Sequence, residues 1–139
     1  MYLYFREEYP KVHKHMEKHE IPWELICSKW FICLFCDILP IETVLRIWDC
    51  LLYNGSIIIM KTALLTVQLH QDELLATNDF AELVTNFKTF TTSKKAIHCH
   101  EFIEKLIDKE FFLTEDQLQS LRQDYDLEVQ KELEERNKR

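Results

Sequence analysis

The chain has 139 residues, of which 47% are hydrophobic and 29% charged, with one glycine and three prolines. A single glycine excludes the Gly-rich nucleotide-binding loops, which need more than one, and argues against collagen or a turn-rich β-sandwich. The net charge of −7 argues against a general binder of nucleic-acid phosphates or anionic lipid. The composition that remains is typical of a mostly helical globular domain, or of one piece of a larger domain.

The start of the chain has no basic segment followed by an apolar one, so we expect no secretory signal. The most apolar run, residues 30–36, is far shorter than the roughly 18 residues that a membrane span needs. Five cysteines lie in apolar segments, and their odd number predicts reduced thiols in a cytosolic protein. They are Cys27, Cys33, Cys36, Cys50 and Cys99.

The first half of the chain predicts three helices separated by prolines. Residues 2–19 form a polar helical segment that Pro10 bends or starts. Pro22 opens a helix predicted over 23–38, which is apolar on nearly every side and should be buried. Pro40 starts a third helix, which Gly55 ends because glycine accepts the left-handed cap conformation. The third helix has an apolar stripe of Val44, Leu45, Ile47, Trp48, Leu51 and Leu52.

The segment after Gly55 has two interpretations. Ser56 is placed to cap it, and Ile57–Met60 suits a short strand by propensity. The apolar run continues as far as Leu74, which favours a long buried helix instead.

Two capping boxes and two apolar stripes predict the remaining helices. Asp79 with Glu82, and Thr114 with Gln117, have the spacing in which each residue bonds the backbone of the other. A stripe within 97–107 predicts an amphipathic helix between them. Residues 114–139 form a terminal amphipathic, charged helix whose apolar face is Leu118, Leu121, Tyr125, Val129 and Leu133.

Residues 28–56 resemble the third signature block of TBC domains, which are all-helical GTPase-activating domains that act on Rab proteins. The positions that carry the resemblance are Trp30, Phe31, Phe35, Pro40, Ile47, Trp48, Asp49 and Gly55. This block belongs to the C-terminal half of a TBC domain. The resemblance therefore implies an all-α fold in which residues 1–139 are the C-terminal portion of such a domain.

The resemblance also implies a function and a set of partners. The protein would be a GTPase activator, a regulator rather than an enzyme itself, that stimulates GTP hydrolysis by Rab-family small GTPases and so controls vesicle trafficking. Its partners would be a GTP-bound Rab and the N-terminal half of the TBC domain, with no nucleic acid and no transmembrane segment. The location implied is cytoplasmic, at the periphery of endomembranes where its Rab lies. The alternative is a non-catalytic helical module that binds a Rab or another protein.

The two catalytic motifs of the family are absent from this sequence. TBC domains supply an Arg from an Ile-x-x-Asp-x-x-Arg block and a Gln from a Tyr-x-Gln block, and both blocks precede the segment seen in this chain. Residues 41–46 have the wrong spacing and no Asp, and none of the five tyrosines has Gln two residues later. The resemblance thus assigns no catalytic residue to this chain and predicts that it is inactive alone. It also implies no cofactor and no metal.

Other tempting motifs have simpler interpretations. Cys33-x-x-Cys36 has a redox or zinc spacing but no second pair, so we expect core packing. His15 and His19 lie four apart without the acid that a zinc protease motif requires, and the cluster 98–100 is likewise interpreted as surface residues. Asp49 is predicted to accept hydrogen bonds from Arg46 or from a neighbouring helix.

Overall fold

The computed structural model describes residues 2–90, 98–108 and 113–137, and this part of the chain is helical without a β-strand. The predicted all-α fold class is confirmed. None of the helices within these residues has the length and apolar character that crossing a membrane requires. The helices, in chain order, are α1 (Tyr2–Glu8), α2 (Pro10–Lys18), α3 (Trp23–Ile32), α4 (Ile41–Asn54), α5 (Ile57–Leu69), α6 (Gln71–Leu75), α7 (Phe80–Phe90), α8 (Cys99–Ile107) and α9 (Glu115–Asn137).

The two N-terminal helices cover the core. Pro10 is the first residue of α2, so it starts a helix rather than bending one. Phe5 and Met16 are fully buried, and the Phe5 ring stacks on Trp23 with 4.3 Å between centroids. The indole nitrogen of Trp23 donates to Nδ1 of buried His13 at 3.2 Å. The sequence predicts only a polar helical segment over residues 2–19 and does not show that it packs on the core, because its charged residues outnumber the apolar ones that point inward.

Helix α2 ends in a Schellman motif that places Glu20 where glycine is usual. The N–H of Ile21 donates to the carbonyl of Met16 at 2.9 Å, and the N–H of Glu20 donates to that of Glu17 at 3.1 Å. Glu20 has a φ of 53°, in the left-handed region that disfavours side chains with a Cβ. Because Met16 and Ile21 both belong to the buried core, the strained turn is held from within.

Helix α3 ends at Ile32, six residues before the end at Ile38 that the sequence predicts. The N–H of Phe35 donates to the carbonyl of Trp30 at 3.0 Å, the same bond that closes α2. Residues 33–38 are a turn rather than helix. The apolar pattern does not reveal the end of α3, because Phe35 and Ile38 are buried in the turn, just as they would be if the helix continued.

Helix α5 is the centre of the fold and contacts α3, α4, α6 and α8. Its side chains are buried without interruption from Lys61 to Val67. The hydroxyls of Thr62 and Thr66 donate to carbonyls one turn back, each at 2.7 Å, which satisfies both buried polar groups. The helical interpretation of 57–60 is therefore correct, and the strand alternative is wrong.

Helices α4 and α8 pack on α5 and on each other. The amine of Lys61 donates to the carbonyl of Asp108, the C-cap residue of α8, at 3.3 Å. Burial lowers the pKa of Lys61, and the Asp108 carboxylate opposes this shift. The buried face of α8 contains Phe102 and Leu106, as the stripe predicts, whereas Ile97 lies outside the described residues.

A polar contact joins α2 to the segment before α7. Nε2 of His15 lies 2.5 Å from the carbonyl of Thr77. The hydroxyl of Thr77 in turn accepts a hydrogen bond from the Asn86 side chain at 2.9 Å. Because Thr77 is buried, these bonds satisfy polar groups that have left water.

The predicted capping boxes are present at α7 and α9. The N–H of Glu82 donates to the Asp79 carboxylate at 2.8 Å, but the Glu82 carboxylate accepts from the N–H of Asn78 rather than from Asp79. The N–H of Thr114 donates to the Gln117 side chain at 2.9 Å, and the N–H of Gln117 donates back to the Thr114 hydroxyl at 3.3 Å. The second box is thus fully reciprocal.

Helix α9 is attached to the core through its first turns. Leu118 is buried, and Nη2 of Arg122 donates to the hydroxyl of Ser56 at 2.6 Å. Ser56 is at the N-cap position of α5, but its side chain makes no capping bond there. Farther along, Val129 and Leu133 are half exposed, so the apolar face of α9 extends beyond the residues that it packs against.

Candidate functional site: the signature residues around α4

Three of the aromatic residues that carry the resemblance form one cluster at the end of α3. Trp30 and Phe35 are buried, and their ring centroids lie 6.0 Å apart. Phe31 is partly buried and meets Phe35 edge-on at 6.5 Å. Such tilted aromatic pairs contribute about 0.5–1.5 kcal/mol beyond their buried area. The cluster therefore fixes the turn that leads into α4.

Trp48 connects that turn to α4. Its indole Nε1 donates to the carbonyl of Leu34 at 3.1 Å, and the ring itself is only partly buried. Leu34 and its neighbours Phe35 and Asp37 have φ values of 47°, 65° and 63°. Left-handed conformations of this kind cost about 1–3 kcal/mol each and persist only where the surrounding structure holds them. The Trp48 hydrogen bond is one of the contacts that do so.

Pro40 and Gly55 stand at the two ends of α4. Pro40 is the N-cap residue, in an extended conformation that suits the start of a helix. Gly55 is the C-cap residue with φ 81° and ψ −171°, a region that only glycine adopts readily. Ile47 is buried in the middle of the helix. Two of the positions that carry the resemblance therefore lie at the ends of α4, and a third packs the helix against the core.

Helix α4 has a second apolar face that points away from the core. Ile41, Leu45 and Leu52 are 63%, 51% and 88% exposed, and they lie on one stripe with the partly buried Trp48. We call these four residues the α4 stripe. The sequence groups Leu45 and Leu52 in one apolar stripe with Val44 and Ile47, but the structure divides that stripe. Thr43, Val44 and Ile47 form the buried face, whereas Leu45 and Leu52 are exposed.

Asp49 does not make the contacts predicted for it. Its side chain is exposed, and the structure shows no hydrogen bond or ion pair for it among the described residues, including none to Arg46. Asp49 does affect its neighbour Cys50. Burial is the main cause that raises the pKa of the Cys50 thiol, and the Asp49 carboxylate adds to the shift, while Arg46 lowers it. Arg46 and Asp49 are both exposed charged residues on α4, next in sequence to residues of the α4 stripe.

The remaining cysteine and histidine motifs are not brought together as a metal site. Cys33 is exposed and Cys36 half-buried, and they lie in the turn after α3 rather than inside a helix as predicted. The rings of His15 and His19 lie 4.6 Å apart, with His15 bonded to a carbonyl. Across residues 2–90, 98–108 and 113–137, no three His, Cys, Asp or Glu side chains are grouped as metal ligands.

The sequence profile of the Rab-GTPase-TBC domain family matches residues 2–75. The chain belongs to this family, whose domains are all-helical and regulate Rab GTPases. The match includes α1–α6, and so it contains the aromatic cluster, Trp48 and the α4 stripe.

Among curated proteins, the chain is similar to growth hormone-regulated TBC proteins. Identity to protein 1 of Xenopus laevis is 36% over 127 residues, which is 91% of this chain and 37% of the relative. Identity to human protein 1 is 42% over 104 residues, or 75% of this chain and 31% of the relative. Protein 6 of Caenorhabditis elegans is 32% identical over 89% of the chain and 37% of its own length. The chain thus spans about a third of the length of these relatives. No solved structure matches it.

Proposed function

We propose that this chain provides the C-terminal helices of a TBC domain in a Rab GTPase-activating protein, and that it promotes GTP hydrolysis only together with the part of the domain that carries the catalytic motifs. Family membership and the position of the signature block at residues 28–56 support this proposal. The match to about a third of each relative agrees with it. The protein would work in the cytoplasm, at endomembranes that carry its Rab.

The α4 stripe is the observation that carries the proposal. Fully burying a Leu or Ile side chain contributes about 1.5–3 kcal/mol, so three such residues left in water forgo a substantial stabilisation. The stripe lies on the helix between the signature positions Pro40 and Gly55, on the face opposite the core. An interface with the N-terminal half of the domain would bury it.

The chemistry proposed for the complete domain needs side chains that this chain lacks. An arginine supplied in trans to a small GTPase is worth about 10³–10⁵ in rate, which corresponds to roughly 4–7 kcal/mol of barrier. The sequence has neither the Ile-x-x-Asp-x-x-Arg nor the Tyr-x-Gln block. The role proposed for these helices is therefore to hold the catalytic half in place and to frame the surface that meets the Rab.

Association with the N-terminal half tests the proposal. The chain is titrated calorimetrically with the part of human growth hormone-regulated TBC protein 1 that precedes the matched region. We expect a one-to-one complex that Leu45→Asp and Leu52→Asp each weaken at least tenfold. Leu127→Asp is the matched control, because Leu127 is 58% exposed on α9 and lies outside the stripe. Absence of a complex, or equal weakening by all three substitutions, contradicts the proposal.

A second candidate function is a non-catalytic module whose α4 stripe binds a Rab directly. The exposed stripe, combined with the missing catalytic motifs, is the observation that favours it. Binding of this chain alone to a GTP-loaded Rab, lost in Leu52→Asp and without faster hydrolysis, would select this candidate over the first.

A further inference from the structure

An open groove lies between α3, α5 and the first turns of α9, and none of the residues of the α4 stripe line it. Its volume is about 610 Å³, within the range of about 300–1,000 Å³ that is usual for binding sites. Trp23 and Phe31 line it from α3, Met60 from α5, and Leu121 and Tyr125 from α9. The groove is therefore apolar, wide and bounded by three helices.

The charged residues that line the groove carry a net charge of −1, from Glu24 and Asp126 against Arg122. Arg122 keeps its positive charge, because the Ser56 hydroxyl to which its guanidinium donates at 2.6 Å is neutral. Glu24 and Asp126 also line it, both are exposed, and neither makes a hydrogen bond or ion pair within the described residues. Helix α9 as a whole has eight acidic and three basic residues. A cationic partner would compensate these carboxylates.

The apolar face of α9 extends the groove along the helix. Beyond Tyr125, the half-exposed Val129 and Leu133 continue the stripe that begins at Leu121. At 1.5 Å per residue, the distance along the axis from Leu121 to Leu133 is about 18 Å. That length accommodates about three turns of a bound helix. The apolar side chains that such a helix inserts into the groove would be spaced at i, i+3 or i+4, and i+7 along its own sequence.

We propose that this groove docks an amphipathic helix of a protein partner, with an apolar face inserted between α3, α5 and α9 and flanked by Lys or Arg side chains that meet Glu24 and Asp126. A second copy of this chain is the wrong occupant, because it would bring two acidic α9 helices face to face. The two helices would repel each other, and each chain has a net charge of −7.

Two synthetic 14-residue helical peptides test the proposal. Both peptides have the same apolar face of leucines. The polar face is made of Lys in the first, the Lys peptide, and of Glu in the second, the Glu peptide. Each is labelled and titrated with the 139-residue chain in about 0.1 M salt, where charges more than about 10 Å apart are largely screened. We expect saturable one-to-one binding of the Lys peptide, and binding of the Glu peptide at least tenfold weaker.

Charge-reversal variants locate the binding. Glu24→Lys and Asp126→Lys should each weaken the Lys peptide at least threefold. Asp124→Lys is the matched control, because it makes the same change two residues away on α9 at an exposed position that does not line the groove. Leu121→Glu should weaken both peptides, with circular dichroism verifying that the helices remain.

Four results would overturn the proposal. They are failure of the Lys peptide to bind, equal binding of the Glu peptide, equal weakening by Asp124→Lys and Asp126→Lys, and a concentration-dependent dimer in light scattering that Leu121→Glu abolishes. The third result would mean general attraction to an acidic protein, and the fourth would identify a second copy as the occupant. The α4 stripe takes no part in the experiment, so its outcome is independent of the proposed function.

Discussion

The indole N–H of Trp48 donates to the carbonyl oxygen of Leu34 at 3.1 Å, across fourteen positions of the sequence. Trp48 lies in the middle of α4, whereas Leu34 is the first of three residues with positive φ in the turn after α3. This hydrogen bond therefore couples a signature tryptophan to the strained backbone that positions the signature helix. It explains why a tryptophan can matter at a position that is only partly buried.

Replacing Trp48 with Phe should lower the free energy of unfolding by about 1 kcal/mol, because the ring is kept while the donor to Leu34 is lost. Urea denaturation measures the change. Leu52→Ala, at a side chain 88% exposed, is the control and should shift the stability by less than about 0.5 kcal/mol. An unchanged midpoint for Trp48→Phe would show that this bond does not hold the turn.

Replacing Glu20 with Gly should stabilise the chain by about 0.5–1 kcal/mol. Glu20 has a φ of 53° at the C-terminal end of α2, and a left-handed residue with a Cβ costs about 1–2 kcal/mol, which exceeds the unfolded-state entropy that glycine adds. Lys14→Gly, at an exposed position inside the same helix, should instead destabilise by about 1 kcal/mol. Thermal unfolding of both variants should therefore give shifts of opposite sign. If both variants lowered the unfolding temperature, the turn at Glu20 would not be strained.

Replacing Gly55 with Ala should destabilise the chain by about 1–3 kcal/mol through backbone strain alone. The conformation with φ 81° and ψ −171° is essentially restricted to glycine, while a Cβ at this position would meet no atom within 4 Å. The space around the residue therefore cannot be the cause of any loss. Chemical denaturation that shows no loss would mean that the C-cap of α4 adopts another conformation.

The thiols of Cys27 and Cys33 should differ in reactivity with iodoacetamide. Burial raises the pKa of Cys27 to about 12, whereas Cys33 is exposed. At pH 8 we expect mass spectrometry to find Cys33 alkylated and Cys27 protected until denaturant is added. Rapid modification of Cys27 in the folded chain would contradict its burial.

The raised pKa of Cys27 also predicts a dependence of stability on pH. The contribution of the Cys27 thiol to stability is fully present below pH 9, the ordinary pKa of the thiol. It is lost as the pH rises from 9 towards 12, because in that range the thiol ionises only in the unfolded chain. At pH 10 the loss is about 1 kcal/mol. The difference in unfolding free energy between the wild type and Cys27→Ala, measured at pH 8 and pH 10, isolates it. A difference that does not change with pH would contradict the shift.

The sequence predicted the helices well where their ends carry chemical signals. Pro10 starts α2, Gly55 ends α4, and Thr114 with Gln117 forms the expected reciprocal cap at α9. Each of these signals is local, so a few neighbouring residues determine it. The end of α3 was missed because a left-handed Leu34 takes the place of the glycine that usually marks such a turn.

The candidate site was less predictable than the fold. Apolar residues on two faces of α4 give the same pattern whether both faces are buried or one is left for a partner, so the pattern does not separate Leu45 and Leu52 from the buried Val44 and Ile47. The groove beside α9 is lined by residues nearly one hundred positions apart, such as Trp23 and Leu121, and no local pattern encodes that arrangement. Tertiary packing decides both features.

Single-turnover GTP hydrolysis across a panel of GTP-loaded Rabs tests whether these helices promote hydrolysis only together with the rest of the domain. The chain is added alone, and then with the part of human growth hormone-regulated TBC protein 1 that precedes the matched region. We expect no acceleration by the chain alone. With the N-terminal part present we expect acceleration that Leu52→Asp abolishes and Leu127→Asp preserves. A hundredfold acceleration by the chain alone, lost in Arg46→Ala, would contradict this expectation and make Arg46 the catalytic arginine.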